Sequence, residues 1–315
     1  MDTDSRTIAF LFPGQGSQSL GMGQELAQAY PIAQQIFTQA DEILGFHLSR
    51  LAWGGPENEL NDTINTQPAL LVHSVSALAV FQQLFPGIEP VYTAGHSMGE
   101  LSAMVASQSL PFQQALKLVR IRGCLMKEAG HYSPGGMAAI LGLDIQELEL
   151  ICADSSTSEE IVQVANDNCP GQVVISGSIS ALERAIEKAQ ASGARRIVRL
   201  PISIAAHSPL MGSAQNAFSA AVGDMPIADP IVPLIGNVSA QPLTTANEIR
   251  ADLQAQLTSR VRWTESIQYL SARGIRTYVE IGNNSVLSGL VKRIDRNAEC
   301  FTASTPSDFD KFLSI

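Results

Sequence analysis

The sequence predicts an α/β fold in which a parallel-sheet core carries a smaller inserted domain. An apolar segment at 7–12 runs into a glycine-rich segment at 13–18, the pattern of a buried parallel strand that ends in a loop at the carboxyl edge of its sheet. At 95–99 a Gly-x-Ser-x-Gly pattern separates an apolar run from a small-residue helical run, which predicts a strand, a sharp turn and a helix. Between 134 and 201 the elements become shorter and follow a different order.

Length and composition agree with a large domain that carries an insert. The chain has 315 residues, of which 45% are hydrophobic and 16% charged, and this length exceeds the prior of about 150 residues per domain. The net charge of −10 argues against nucleic acid as the main partner, because phosphate binding needs a basic surface. No apolar run reaches about 18 residues and residues 1–6 lack a basic start, so we expect no membrane segment, no signal peptide and a cytoplasmic protein.

The spacing of cysteines and glycines disfavours two common kinds of ligand site. The four cysteines contain no C-x-x-C pair and stand at Cys124, Cys152, Cys169 and Cys300. We therefore expect reduced, mostly buried thiols, and neither a disulfide framework nor a metal site. Gly14 and Gly16 lack the third glycine of a dinucleotide loop, and no acid ends a second strand about 20 residues later, so a nucleotide site is also disfavoured.

Two amphipathic helices are predicted before the Gly-x-Ser-x-Gly turn, at 31–44 and 69–84. Apolar residues recur in both at helical spacing. The second helix is expected to start near residue 69, because Thr66 can cap its first turn and Pro68 stands where a missing N–H costs nothing.

A third helix, predicted at 112–130, carries a charge on its apolar face. At about 100° per residue, one arc of this helix is apolar and is formed by Ala115, Leu118, Val119, Leu125, Met126 and Ala129. Arg122 falls in the middle of that arc. Either this arginine snorkels or pairs with a nearby carboxylate, or it awaits an anion such as a carboxylate, which a guanidinium holds bidentately.

The segment 134–201 predicts a ferredoxin-like inserted domain. Its elements follow the order β-α-β-β-α-β of the split βαβ motif, at 137–141, 145–153, 161–166, 172–176, 179–191 and 194–200. The chain then returns to the large domain, which we assign to 1–133 and 202–315.

Ser97 is the predicted nucleophile. A serine at a strand-to-helix corner adopts a strained backbone, and flanking glycines let the two segments approach each other. The turn directs the N–H of Met98 and the positive end of the new helix towards an oxyanion formed there. Gln15, between two glycines, is either a second oxyanion donor through its backbone N–H or an ordinary turn residue.

His207 is the candidate for the general base. Three of the five histidines stand outside any motif, and His96 precedes Ser97, so the turn should direct it away from the nucleophile's side. The order of Ser97 before His207 matches the hydrolase arrangement, although a lone histidine at a loop start also serves structure. No acid stands out between them, so we expect a backbone carbonyl to accept from the imidazole N–H.

Seven motifs in this order resemble those of malonyl-CoA:acyl carrier protein transacylases. They are PGQGSQ at 13–18, TQPA at 66–69, GHSMGE at 95–100, RIRG at 120–123, NCPGQ at 168–172, HSPLM at 207–211 and VRW at 261–263. The resemblance runs nearly end to end and implies the fold of that family, a hydrolase-like α/β core with a ferredoxin-like insert. It also implies a nucleophile at Ser97, a base at His207, oxyanion donors at Gln15 and Met98, and a backbone carbonyl at Gln256 that orients the histidine.

For the substrate, the resemblance implies that Arg122 binds the malonyl carboxylate. Further substrate-binding positions are implied at Gln67, Asn166, Asn168 and Ala206. The chain departs from the family at Ala206, where malonyl-selective polyketide domains usually carry phenylalanine, and at 282–284, where Gly-Asn-Asn replaces Gly-Pro-Gly. Asparagine tolerates a left-handed backbone, so the turn at 282–284 should keep its conformation.

The expected reaction is ping-pong transfer of a malonyl group from malonyl-CoA to the phosphopantetheine thiol of acyl carrier protein. It needs no metal or redox cofactor, and the coenzyme A thioester is a substrate. Three alternatives remain open at this point: a trans-acting polyketide acyltransferase with methylmalonyl or other acyl scope, a serine acyl-thioesterase, and a non-catalytic module that docks carrier proteins. A thioesterase has no reason for an arginine on the pocket side of its helix.

Overall fold

The structure is a computed structural model that describes residues 7–313. Residues 1–6, where we expected no signal peptide, lie outside this range. The helices are α1 Gln24–Ala29, α2 Pro31–Leu44, α3 Leu48–Gly54, α4 Glu57–Leu60, α5 Thr63–Leu84, α6 Gly99–Ala106, α7 Phe112–Tyr132, α8 Ile145–Ser155, α9 Ile179–Ala191, α10 Gly212–Gly223, α11 Ala246–Gln256, α12 Trp263–Ala272, α13 Val286–Ile294 and α14 Pro306–Leu313. The strands are β1 Ile8–Phe12, β2 Tyr92–Gly95, β3 Gly135–Leu141, β4 Val162–Cys169, β5 Gln172–Ser178, β6 Arg196–Arg199, β7 Leu234–Ile235, β8 Pro242–Leu243, β9 Thr277–Ile281 and β10 Glu299–Ala303.

The larger sheet is the parallel core that the sequence predicts. Its strand order is β10-β9-β1-β2-β7-β8, and its neighbouring strands run parallel except for the β7–β8 pair. All five residues of β1 are buried, as expected of a central parallel strand with both faces covered. The glycine-rich loop at 13–18 follows β1, and the turn at 96–98 follows its neighbour β2. Both loops therefore lie at the carboxyl edge of the sheet, where open α/β folds place their sites.

Helix α5 starts at residue 63, so the predicted start near 69 is wrong. Asp62, not Thr66, caps the helix by accepting from the N–H of Ile64. Pro68 lies inside the helix, where its missing N–H leaves the carbonyl of Ile64 without a helical donor. The guanidinium of Arg120 on α7 donates to that carbonyl, so a tertiary contact supplies the hydrogen bond that the helix lacks.

The same helix is the single one in the described range that is long and apolar enough to span a membrane. Of its apolar window, 83% is buried inside the fold, and it packs against α2 and α7. The helix is apolar on average over this length, although the sequence contains no uninterrupted apolar run of about 18 residues. Burial on this scale is that of a core helix.

The second sheet is separate and antiparallel, with the strand order β4-β5-β3-β6. Helices α8 and α9 cover it and share with it an apolar core of its own. All six elements predicted between 134 and 201 are present. The second sheet is joined to the rest of the chain at Val261, whose N–H donates to the carbonyl of Ala165 (2.8 Å) and whose carbonyl accepts from the N–H of Asp167 (2.9 Å).

The four cysteines are free thiols, as predicted. Cys152 and Cys169 are buried, Cys300 is half-buried and Cys124 is exposed. Burial raises the pKa of Cys152 to about 12, so this thiol stays protonated. Within residues 7–313, no group of three or more His, Cys, Asp or Glu side chains is placed to hold a metal ion.

Candidate active site

The turn between β2 and α6 holds Ser97 in a strained conformation. Its φ is 54°, in the left-handed region that side chains other than glycine rarely adopt. A Cβ atom on Gly95 would lie 2.0 Å from the carbonyl oxygen of Gly99, and one on Gly99 would lie 2.2 Å from that of Phe12. The two glycines are therefore needed for the close approach of strand and helix, as the pattern predicts.

Asn237, which sequence reasoning missed, fastens this turn. Its Oδ1 accepts from the N–H of Ser97 (2.7 Å), and its Nδ2 donates to the carbonyl of Gly95 (2.8 Å). The side chain is buried and follows β7, which neighbours β2 in the sheet. The sequence does show Gly-Asn after an apolar pair at 234–235, but not that this pair lies beside β2.

Ser97 and His207 form a hydrogen-bonded dyad. Ser97 Oγ lies 2.8 Å from His207 Nε2. His207 Nδ1 lies 2.9 Å from the carbonyl oxygen of Gln256 and 3.1 Å from that of Ser259. Because carbonyl oxygens only accept, Nδ1 carries the proton, and the lone pair of Nε2 accepts from the Ser97 hydroxyl. The carbonyl of Gln256 lies where the resemblance implied, whereas that of Ser259 was not anticipated.

The imidazole of His207 is neutral. Burial lowers its pKa to about 3, with a further contribution from the positive charge of Arg122. At neutral pH this ring therefore accepts a proton and has none to lose from Nε2. His207 also has a φ of 58°, so both members of the dyad lie on strained backbone.

Arg122 is buried with neutral partners. Its side chain is 1% exposed. Nη1 donates to Gln67 Oε1 (2.9 Å), and Nη2 donates to Gln256 Oε1 (2.8 Å) and to Ser97 Oγ (3.1 Å). In the part of the chain that the structure describes, it forms no ion pair, and burial lowers its pKa to about 10, so it stays charged. The snorkelling and carboxylate-paired interpretations are both wrong.

Glu100, three residues after Ser97, is buried behind the arginine. One carboxyl oxygen accepts from Gln256 Nε2, and the carboxyl group of Asp252 lies close enough to act on that of Glu100. Burial and the charge of Asp252 raise the pKa of Glu100 well above its usual value, which favours the protonated form. The carboxyl group also fixes the amide of Gln256.

Two backbone N–H groups near Ser97 lack hydrogen-bond partners within residues 7–313. They belong to Gln15, in the glycine-rich loop, and to Met98, which follows Ser97. The side chain of Gln15 is held by Thr63, whose hydroxyl donates to its Oε1 (2.8 Å). Free N–H groups beside a serine are what an oxyanion requires.

Ser97, His207 and Arg122 line a cavity of about 470 Å³. Its other polar side chains are those of Gln15, Gln18, Asn61, Thr63, His96 and Asn166. Its remaining wall is mainly apolar, formed by Met126, Met137, Leu200, Pro201, Ile202, Ile204 and Ala206. A charged, buried guanidinium among uncharged cavity residues suits a ligand that has one anionic group.

Three predicted positions differ from expectation. Gln67 lies behind Arg122 and does not line the cavity, and neither does Asn168. Asn168 Oδ1 instead lies 2.8 Å from His96 Nε2. The prediction that His96 points away from the nucleophile's side is wrong, because this contact and the ring of Trp263, 5.5 Å away between centroids, hold the imidazole at the cavity.

A family described as the acyl transferase domain matches residues 9–303. The chain belongs to this acyl transferase family, and it is an enzyme. Malonyl CoA-acyl carrier protein transacylase of Bacillus subtilis strain 168 is 45% identical over 303 residues, which cover 96% of this chain and 95% of that protein. The corresponding protein of Escherichia coli K12 is 40% identical and covers 98% and 99%.

Solved structures agree with this membership of the acyl transferase family. The malonyl CoA-acyl carrier protein transacylase of Coxiella burnetii superposes with a TM-score of 0.95 at 40% identity, over 98% of this chain and 97% of that one. A malonyl-transacylase in complex with its type II polyketide synthase acyl carrier protein superposes with a TM-score of 0.94 at 39% identity, over 98% and 99%. The predicted α/β class and the family resemblance are confirmed.

Proposed function

We propose that the protein transfers a malonyl group from malonyl-CoA to the phosphopantetheine thiol of acyl carrier protein. One observation carries the proposal: the charged guanidinium of Arg122 is buried, has no carboxylate partner in the described range and lies 3.1 Å from Ser97 Oγ. An acyl group that ends in a carboxylate supplies the missing partner while its thioester carbon lies at the serine. The names of the relatives support the same substrate pair.

Acylation follows from the geometry of the dyad. The neutral His207 takes the proton of Ser97 as Oγ attacks the thioester carbon. The C–S bond then breaks and the imidazolium gives its proton to the departing sulfur, so coenzyme A leaves as a thiol and His207 is neutral again. The carbonyls of Gln256 and Ser259 hold the imidazole and stabilise its protonated form. The free N–H groups of Gln15 and Met98 form the oxyanion hole of the tetrahedral intermediate.

Deacylation reverses these steps with a different thiol. The phosphopantetheine thiol gives its proton to His207 and attacks the ester carbon, and Ser97 leaves with a proton from the imidazolium. Gln67 holds Arg122 against the malonyl carboxylate in both halves, and Asn166 lines the path to the serine. No metal or redox cofactor takes part, because both steps only move the acyl group from one acceptor to another and change no oxidation state.

The domain assignment belongs to the same proposal. We assign 1–133 and 202–315 to a hydrolase-like catalytic domain and 134–201 to a ferredoxin-like domain, because the order β4-β5-β3-β6 is the one that the β-α-β-β-α-β motif gives. We place the enzyme in the cytoplasm, with its carrier-protein and coenzyme A substrates and with neither a nucleic acid nor a membrane as partner.

A polyketide acyltransferase of broader acyl scope is the second candidate. Ala206 lines the cavity with a small side chain, which leaves room for a substituent such as the methyl group of methylmalonyl-CoA. A related transacylase has been captured with a polyketide carrier protein. A serine acyl-thioesterase is disfavoured, because its substrate has no carboxylate for Arg122.

Intact-mass analysis after mixing with malonyl-CoA tests the proposal. The wild type should gain a single malonyl adduct, and Ser97→Ala, which removes one hydroxyl and leaves the fold unchanged, should gain none. A malonyl adduct of wild-type yield on Ser97→Ala would refute Ser97 as the nucleophile.

A further inference from the structure

Gln163 joins the two segments that carry the base and its support. It lies half-buried on β4 of the antiparallel sheet. Its Nε2 lies 2.7 Å from the carbonyl oxygen of His207 and 3.2 Å from that of Thr258. An amide nitrogen has two N–H donors, so one side chain satisfies both carbonyls.

The first of these carbonyls belongs to a strained residue. With a φ of 58°, His207 keeps its conformation only where the surrounding structure holds it, since such backbone costs on the order of 1–3 kcal/mol. The bond from Gln163 fixes the orientation of the His207 peptide group. The ring therefore leaves the backbone in the direction of Ser97.

The second carbonyl lies between the two that accept from the imidazole. Thr258 stands between Gln256 and Ser259, whose carbonyl oxygens lie 2.9 Å and 3.1 Å from His207 Nδ1. In the described part of the chain, no backbone hydrogen bond joins the segment 203–209 to the segment 256–260. The Gln163 amide therefore contacts both the segment that carries the imidazole and the segment that carries the two carbonyls accepting from it.

We propose that Gln163 is a positioning residue for His207, which it holds in the orientation that activates Ser97. The residue lies on the antiparallel sheet, so that sheet contributes to the reactivity of the nucleophile as well as to the cavity wall. The inference rests on the proposed dyad. It does not rest on the identity of the acyl group.

The test measures the reactivity of Ser97 with two reagents. A fluorophosphonate probe labels an activated serine whatever the natural substrate is, and malonyl-CoA reports the proposed reaction. Gln163→Met keeps the side-chain length and removes the donor. We expect its maximal rates with both reagents to fall about tenfold, the equivalent of about 1.4 kcal/mol, with an unchanged half-saturating malonyl-CoA concentration.

Two variants control for indirect effects. Gln254→Met also removes a glutamine amide that donates to a backbone carbonyl, that of Ser219 (3.2 Å). Ser219 lies outside the segments that carry the dyad, so this variant should keep wild-type rates. Gln163→Glu keeps the shape and replaces the donor by a carboxylate that faces two carbonyl oxygens. It should lose at least as much rate as Gln163→Met while its thermal midpoint shows that it is folded.

A double-mutant cycle separates positioning from a general structural effect. In a His207→Ala background the residual labelling rate should be the same with and without the Gln163→Met substitution, because the group that Gln163 positions is gone. An equal fold-loss in both backgrounds, or wild-type labelling of Gln163→Met, would overturn the inference. If labelling falls as expected but wild-type protein gains no malonyl adduct, the proposed function fails and the positioning role stands.

Discussion

Arg122 brings a positive charge into a buried cavity without an anion to balance it. A carboxylate that enters this site forms a desolvated pair, and truncating one member of such a pair costs about 2–5 kcal/mol, which is about 30-fold or more in rate. We expect Arg122→Ala to lose malonyl transfer by at least about 30-fold. Transfer from acetyl-CoA, which lacks the second carboxylate, should rise relative to malonyl transfer, as measured by competing the two thioesters.

Lys127→Ala is the matched control for this variant. It removes another positive charge from α7, an ammonium that is exposed and pairs with Asp62. Exposed pairs contribute little, so the ratio of acetyl to malonyl transfer should stay at the wild-type value. Equal losses of acetyl and malonyl transfer in Arg122→Ala would make the arginine structural and leave the carboxylate unrecognised.

Glu100 provides a second prediction at the level of single residues. Because burial and the charge of Asp252 raise the pKa of Glu100 and favour its protonated form, the uncharged Glu100→Gln should still accept from the amide of Gln256. Malonyl acylation of this variant is expected within about threefold of wild type, since an isosteric neutral replacement preserves the hydrogen bond. A loss of about 30-fold or more would mean that an ionised carboxylate is needed.

The sequence predicted the side chains at the cavity better than the residues that hold them in place. Ser97 follows from Gly-x-Ser-x-Gly and Arg122 from its place on an apolar arc, because both signals are local. Glu100 and Asn237 act through partners that are distant along the chain, and no local pattern shows such a contact. His207 was reached by elimination and by resemblance.

Among the elements, the turn between β2 and α6 depends on a side chain that follows β7. Asn237→Ala would leave the N–H of Ser97 and the carbonyl of Gly95 without their partner, at a cost of about 1–3 kcal/mol for each buried group. We expect a lower free energy of unfolding in urea and slower malonyl acylation of the folded variant. Wild-type values of both quantities would show that the turn keeps its strain without this residue.

The bounds of elements were predictable where the signals lie within the element. Helices α2 and α9 begin and end where the sequence predicts, and the four strands of the antiparallel sheet and α8 differ from their predicted bounds by only a few residues. The predicted start of helix α5 was wrong because Pro68 lies inside the helix. Arg120, from another helix, donates to the carbonyl that Pro68 leaves without a partner. The order of the strands also depends on pairing between distant segments, which the sequence does not show.

For the whole molecule, buried neutral histidines make stability depend on pH. Burial lowers the pKa of His73 to about 4 from an ordinary value of 6.5. Between these values the unfolded chain binds a proton that the folded protein does not. The contribution of His73 to the free energy of unfolding is therefore greatest above about pH 6.5 and decreases as the pH drops towards 4. The pKa of His207 is also lowered and acts in the same direction.

A single substitution isolates this effect. His73→Gln can still donate to the carbonyl of Ser304, which His73 Nε2 meets at 3.1 Å, but it does not titrate. Between about pH 6.5 and 4, the slope of unfolding free energy against pH should be smaller than in wild type by up to about 1.4 kcal/mol per pH unit. Urea titrations at several pH values measure it, and identical slopes would show that His73 is charged in the folded protein.

The proposed function requires the molecule to pass a malonyl group from one thiol to another through Ser97 while it keeps water out. The most direct measurement mixes purified malonyl-enzyme with holo acyl carrier protein, with the apo form or with buffer alone, and follows the masses of both proteins. We expect rapid transfer to the holo form, which alone has the phosphopantetheine thiol, and a stable adduct in the other two mixtures. Loss of the malonyl group to buffer as fast as to the holo carrier protein would refute transfer to the carrier and would identify a thioesterase.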